Sequence, residues 1–150
     1  KKIGLNLDDS IDSKLLTDFL EILYSNNVDF TLAFRNLSYF LDKNSFNEKF
    51  LSLFHEKRKI KDWTKIWESR LLKENINKIK ILNDMKKVNP FIIPRNHIIE
   101  EVINKTMNKK YEFLEELLEV LKNPFIEINN KKFVNPPKRS EQILNTFCGT

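Results

Sequence analysis

"DSKLLTDFLEILY", residues 12–24, decides the fold class. Leu15, Leu16, Phe19, Leu20 and Leu23 recur at the i, i+4, i+8 spacing that gathers apolar side chains on one face of a helix, with Asp12 and Asp18 nearer its start. The same period continues outward. After the polar turn Ser25-Asn26-Asn27, Asp29 is placed to cap a second helix bearing Phe30, Ala33, Phe34, Leu37 and Leu41. Ser45 and Glu48 form an S-x-x-E capping box that opens a third helix ahead of Phe50, Leu51 and Phe54. From Asp62, the residues Trp63, Ile66, Trp67 and Leu71 hold one face. The pattern then slips phase and resumes as Ile76, Ile79, Leu82 and Met85, which predicts two helices, or one kinked near Asn75.

Asn89-Pro90 ends that run, because a residue before proline is pushed out of the helical region. "FIIPRN" (91–96) is a connector, and Asn96 is expected to cap a helix carrying Ile98, Ile99, Val102 and Ile103. "YEFLEELLEVLKNP" (111–124) is the last strong helix, stopping at Asn123-Pro124. The remainder, with Pro136-Pro137, reads as a tail with at most one turn between Ser140 and Leu144; only Ile126-Glu127-Ile128 offers a short stretch for local strand pairing. The expected fold is all-α: a helical domain of about six to seven helices over 1–123 and an extended tail over 124–150.

With 150 residues, the chain is long enough to hide about 70% of its unfolded surface in one core, so no staple is required. One cysteine, Cys148, and two separated histidines, His55 and His97, cannot supply the four clustered ligands of a structural zinc site. No apolar run approaches the ~18 residues of a membrane span, and Lys1-Lys2-Ile3-Gly4 does not lead into a signal-peptide core. A soluble, cytoplasmic protein with no membrane partner is expected. The first residue is Lys rather than Met, which suggests an internal stretch of a longer gene product. The two glycines, Gly4 and Gly149, cannot build a phosphate-cradling loop, which needs several glycines close together.

The net charge of +5 is localised: residues 51–100 carry 12 basic and 6 acidic side chains, with "KRKIK" at 57–61 the densest point. Trp63 and Trp67 lie beside this run, the composition of a nucleic-acid surface. They sit on the apolar face of their helix, however, so core packing explains them better, and an AT-rich genome itself favours Lys, Asn and Ile codons. Nucleic acid is therefore not the expected partner. His55 and His97 have no evident nucleophile beside them and read as surface or capping residues. Glu112, Glu115, Glu116 and Glu119 form a solvated helix face opposite Phe113, Leu114, Leu117, Leu118 and Leu121.

Four segments in order, "VDFTLAFRNLS" (28–38), "MKKVNPFIIPRNHIIEEVI" (85–103), "LLEVLKNPF" (117–125) and "FCGT" (147–150), resemble the C-terminal part of the selenoprotein O (SelO) family. Its most specific elements here are Asn89, Pro90, Pro94, Arg95 and Asn96, and the near-terminal Cys148, where some family members carry selenocysteine. The resemblance implies a parent protein with a kinase-like fold that transfers AMP from ATP, with Mg or Mn, to Ser, Thr or Tyr of protein substrates. Such chemistry needs a loop over the phosphates, a positioning Lys, acidic metal ligands and a base. "VDFT" (28–31) is superficially like the D-F-G metal motif, but Thr31 replaces its glycine and no catalytic loop precedes it.

No catalytic, cofactor-binding or metal residue is therefore assigned within the chain. The implied partner is an N-terminal kinase-like domain of the same polypeptide, which this part would buttress. Arg35 and Arg95 are candidates for salt bridges that hold helices or the missing domain, the plainer alternative being solvated arginines. Cys148 is the redox candidate. It has no second cysteine within the chain, so a disulfide would reach one in the kinase-like domain. The alternative function is a stand-alone helical scaffold that binds a protein or RNA partner through its basic middle third.

Overall fold

The computed structural model describes residues 1–5, 10–41, 46–73 and 77–141. Among these the architecture is all-α, with seven helices, two short 3-10 turns and no strand. It forms two compact units, Lys1–Pro90 and Phe91–Thr150. The packing boundary thus follows Asn89-Pro90, whereas the sequence pattern divides the chain at 123.

The first unit contains α1 (Ser10–Ser25), α2 (Phe30–Phe40), α3 (Phe46–Leu51), α4 (Lys57–Lys73) and α5 (Lys78–Val88). α2 packs on α3 and α5, and α1 on α4. Phe19 is the hub: it stacks on Trp63 at 4.5 Å and meets Phe34 edge-on at 5.3 Å, while Trp63 stacks on Trp67 at 5.6 Å. Each fully buried side chain of this size contributes about 1.5–3 kcal/mol. Both indole N–H groups donate inside this core, Trp63 Nε1 to Leu15 O and Trp67 Nε1 to Ile3 O. The tryptophans are therefore core residues and do not form a stacking platform beside the basic run.

Local rules account for most helix ends. Asp29 caps α2 as expected, its carboxylate accepting from Leu32 N at 2.8 Å. α1 ends on Asn27 at φ 52°, with Val28 N donating to Leu23 O and Asn27 N to Tyr24 O, the paired bonds of a Schellman ending. The phase slip after Leu71 resolves into two helices. Asn77 opens the second, accepting from Ile79 N, while Ser45 and Asn75 lie outside the described residues.

α4 starts at Lys57 rather than near Asp62, so "KRKIK" is its first turn. Cations there oppose the helix dipole. The turn is held by tertiary structure: Ile60 is fully buried, and the Asn26 side chain accepts from Glu56 N at 2.9 Å while donating to Ile22 O.

The second unit contains α6 (Asn96–Met107) and α7 (Glu112–Leu121), with 3-10 turns at Lys131–Phe133 and Arg139–Glu141. Its core joins Ile92, Ile98, Val102, Phe113, Leu117 and Phe133. Phe133 is fully buried and stacks on Phe113 at 5.5 Å. The region after 123 is thus packed into this core as far as Phe133, not extended away from it. The reason is that Lys131 and Lys132, which look like tail residues, flank one aromatic anchor.

Ile126-Glu127-Ile128 forms no strand. Of the stretch Ser140 to Leu144, the turn at Arg139–Glu141 covers the start and the rest lies outside the described residues. Asn96 is the first helical residue of α6, not its cap; Arg95 holds the cap position without a side-chain bond to the helix.

Candidate functional site: an arginine clasp at the end of α5

Arg35 is buried, being 3% exposed, which excludes the solvated reading. α2 carries it on the face that packs against α5. Its Nη1 donates to Lys86 O and Asn89 O, both at 3.0 Å, and its Nε donates to Tyr39 Oη at 3.0 Å. A planar guanidinium suits this task because its donors lie in a fixed fork. The two carbonyls belong to the C-terminal end of α5, where helix carbonyls lack intrahelical donors and positive charge is favoured. Arg35 is therefore a tertiary C-cap. Tyr39, one turn on from Arg35, fixes the approach of its Nε.

Asn89 is the second half of the clasp. Its side chain is fully buried, and its Nδ2 donates to Lys2 O at 2.7 Å. Its Oδ1 is buried with no hydrogen-bond partner. Lys2 Nζ returns to Val88 O at 3.5 Å. Residues 1–5 are thereby drawn between α4 and α5, with Ile3 and Leu5 each 1% exposed. Gly4 makes this possible, because at φ +76° a Cβ there would stand 2.7 Å from Ile81 Cγ2.

The rest of the motif lies in the second unit. Phe91 N and Ile92 N both donate to Pro124 O, at 2.7 and 3.0 Å, so the connector is tied to the chain just after α7. Arg95 is also buried, at 7% exposure. Pro90 closes the first unit and Asn96 opens α6. The structure thus brings Arg35 and Asn89 together and assigns Arg95 and Asn96 to the other unit. Cys148 lies outside the described residues.

His97 lines an open groove with Glu101, Asn104, Lys105, Asn108 and Glu141. Its Nδ1 is buried without a partner. Burial is the main cause holding its imidazole below the ordinary value; Glu141 opposes the shift, Arg95 adds to it and Glu101 opposes it. Glu101 bonds Lys105 Nζ at 2.7 Å and Lys132 Nζ at 3.3 Å. Burial pushes its carboxyl up, but the two lysines outweigh that and hold it below the usual range. Both lysines also lie over the Phe113 ring, at 4.0 and 3.6 Å from its centroid. Glu101 and its two lysines fix α6 against the Lys131–Phe133 turn.

Two participants escape a sequence reading. Asp12 looks like a solvated first-turn acid but is 1% exposed and forms an ion pair with Arg70, whose Nε lies 2.7 Å from Oδ1 and whose Nη2 donates to Oδ2 at 3.0 Å. Lys2 carries no sequence signal for its role at α5. Tyr39 does, since residues four apart on a helix are neighbours. Among the described residues no group of three or more His, Cys, Asp or Glu is arranged to hold a metal ion, and no helix is long and apolar enough to cross a membrane.

The family described as protein adenylyltransferase SelO matches residues 1–122. This chain is a member of the SelO family. Both arginines and the Asn89–Asn96 motif fall within the matched residues. The SelO chain is similar to the protein nucleotidyltransferase YdiU of Maridesulfovibrio salexigens, 34% identical over 99% of this chain and 30% of that protein. The corresponding proteins of Rhodopseudomonas palustris strain HaA2 and Bacillus cereus strain G9842 are 36% and 35% identical, over 99% and 100% of the chain. The SelO chain therefore spans about 30% of the length of these curated relatives and corresponds to a C-terminal region.

Proposed function

We propose that this chain is the helical C-terminal part of a protein adenylyltransferase, catalytically incomplete alone, which buttresses a kinase-like domain of the same polypeptide. The observation that carries the reading is a family match across residues 1–122 in a chain that spans only 30% of relatives named protein nucleotidyltransferases. The sequence supports it: two glycines and no phosphate-handling motif leave ATP and its Mg or Mn to the rest of the polypeptide. The clasp supports it too. Arg35, Asn89 and Lys2 rigidify the end of α5 with charge-assisted and buried bonds, the construction expected of a support. The tail cysteine Cys148 then serves as a redox partner for a cysteine of the kinase-like domain, with thiolate fraction and access setting the exchange rate.

Assaying the longer gene product with labelled ATP and Mg or Mn should show AMP on protein hydroxyls, while calorimetry on the 150-residue chain shows no saturable ATP site. Specific ATP binding by the chain alone, or a longer product that transfers no AMP, overturns the proposal. Cys148→Ser should abolish the oxidant-induced shift on non-reducing gels. An unchanged response removes the redox role.

A further inference from the structure

α6 buries Ile98 and Val102, yet it also carries Ile99, Ile103 and Met107 at 36%, 45% and 78% exposure. These three succeed each other at i, i+4, i+8 and so form one stripe along the whole helix, rotated about 100° from the core-facing stripe. The sequence pattern counts Ile99 and Ile103 with Ile98 and Val102 as the apolar residues of this helix. Single exposed apolar residues are ordinary. Three in register on one helix form a second apolar face with no partner among the described residues of its own unit, where polar residues are the rule.

We propose that this stripe is the seat for the part of the polypeptide outside residues 1–150; the inference rests on the reading that the chain belongs to a longer gene product, but not on AMP transfer. Area argues for that occupant over a second copy. A helix of 12 residues is about 18 Å long and ~10 Å wide. Two such faces would bury about 360 Å² in total, far below the ~1,200 Å² of a stable association between separate molecules. A tethered partner needs less, because a covalent connection supplies an effective concentration of about 1 mM. It also adds area of its own, since interfaces between parts of one chain reach about 600–1,500 Å². The curated relatives supply the length for such a partner, the chain covering 30% of them.

The two methionines make the test internal to the protein. Met85 is fully buried in the first unit and Met107 is 78% exposed, and sulfoxide formation follows access. Brief peroxide treatment followed by peptide mass spectrometry should oxidise Met107 at least about tenfold faster than Met85 in the chain alone. In the longer polypeptide, Met107 should slow by about the same factor. Equal Met107 reactivity in the two proteins overturns the proposal. Protection already present in the chain alone also overturns it, pointing to a second copy if it grows with concentration and to internal cover if it does not. Ile103→Asp should lower the thermal midpoint of the longer polypeptide while leaving that of the chain unchanged; equal loss in both contradicts the inference. Failure of AMP transfer with Met107 protected would sink the proposed activity and leave this interface standing.

Discussion

Replacing Arg35 with Ala tests whether the clasp stabilises the first unit. The change strips Lys86 O and Asn89 O of their side-chain donor and leaves Tyr39 Oη without its Arg35 partner. Each buried carbonyl left unsatisfied costs about 1–3 kcal/mol, giving ~2–6 kcal/mol for the two. Relief from burying a guanidinium returns part of this, because charges are costly to desolvate. A net loss of about 3 kcal/mol is expected. For a unit of this size that lowers its midpoint by roughly 12–24 °C. Arg35→Lys keeps a charge at the end of α5 but cannot reproduce the fork, so it should lose about half as much. Urea titration followed by tryptophan fluorescence reads this unit, which holds both tryptophans, Trp63 and Trp67. A loss below about 1 kcal/mol for Arg35→Ala would refute the reasoning, since it would mean that water satisfies those carbonyls equally well.

Gly4→Ala should destabilise the same unit by about 2–3 kcal/mol, from a left-handed backbone and a Cβ driven into Ile81; an unchanged urea midpoint would contradict the packing. Lys109 ends α6 at φ 58°, with Lys110 N donating to Lys105 O and Lys109 N to Thr106 O, so Lys109→Gly should stabilise the second unit by up to about 1 kcal/mol in thermal unfolding. His97, held below its ordinary 6.5 chiefly by burial, resists protonation when folded. Its contribution is complete above pH 6.5 and lost as pH falls below it toward the folded value, because the unfolded chain takes up the proton first. An NMR titration should place the imidazole midpoint below 6.5, and His97→Gln should remove the stability loss between that pH and the onset of carboxylate titration.

Helices with their own signals were readable from the sequence: the Leu15–Leu23 stripe, the Asp29 cap and the aromatic face of α4 all follow from periodicity and local bonding. What escaped depends on groups distant in the chain. The start of α4 at Lys57 violates the dipole preference and is set by Asn26, whose side chain accepts from Glu56 N 30 residues on. Asp12 reads as a surface acid because nothing local announces Arg70. Asn27 and Lys109 occupy turn positions usually filled by glycine, so the endings of α1 and α6 lacked their usual marker. At the clasp, Arg35 and Asn89 could be singled out as motif residues. Apart from Tyr39, their acceptors could not, since Lys86 O, Asn89 O and Lys2 O are backbone carbonyls that any sequence would provide.

The tie between Asn89 and Lys2 has a consequence for how the chain is made. The two residues are 87 positions apart, and the earlier one is held by the last residue but one of its unit. At a synthesis rate of ~5–20 residues per second, the ribosome needs about 4–17 s between them. Throughout that interval Ile3 and Leu5 have no α5 to close over them, while α1 and α2 are already free to form. The nascent chain therefore carries Ile3 and Leu5 without their cover from α5 until the last turn of that helix emerges.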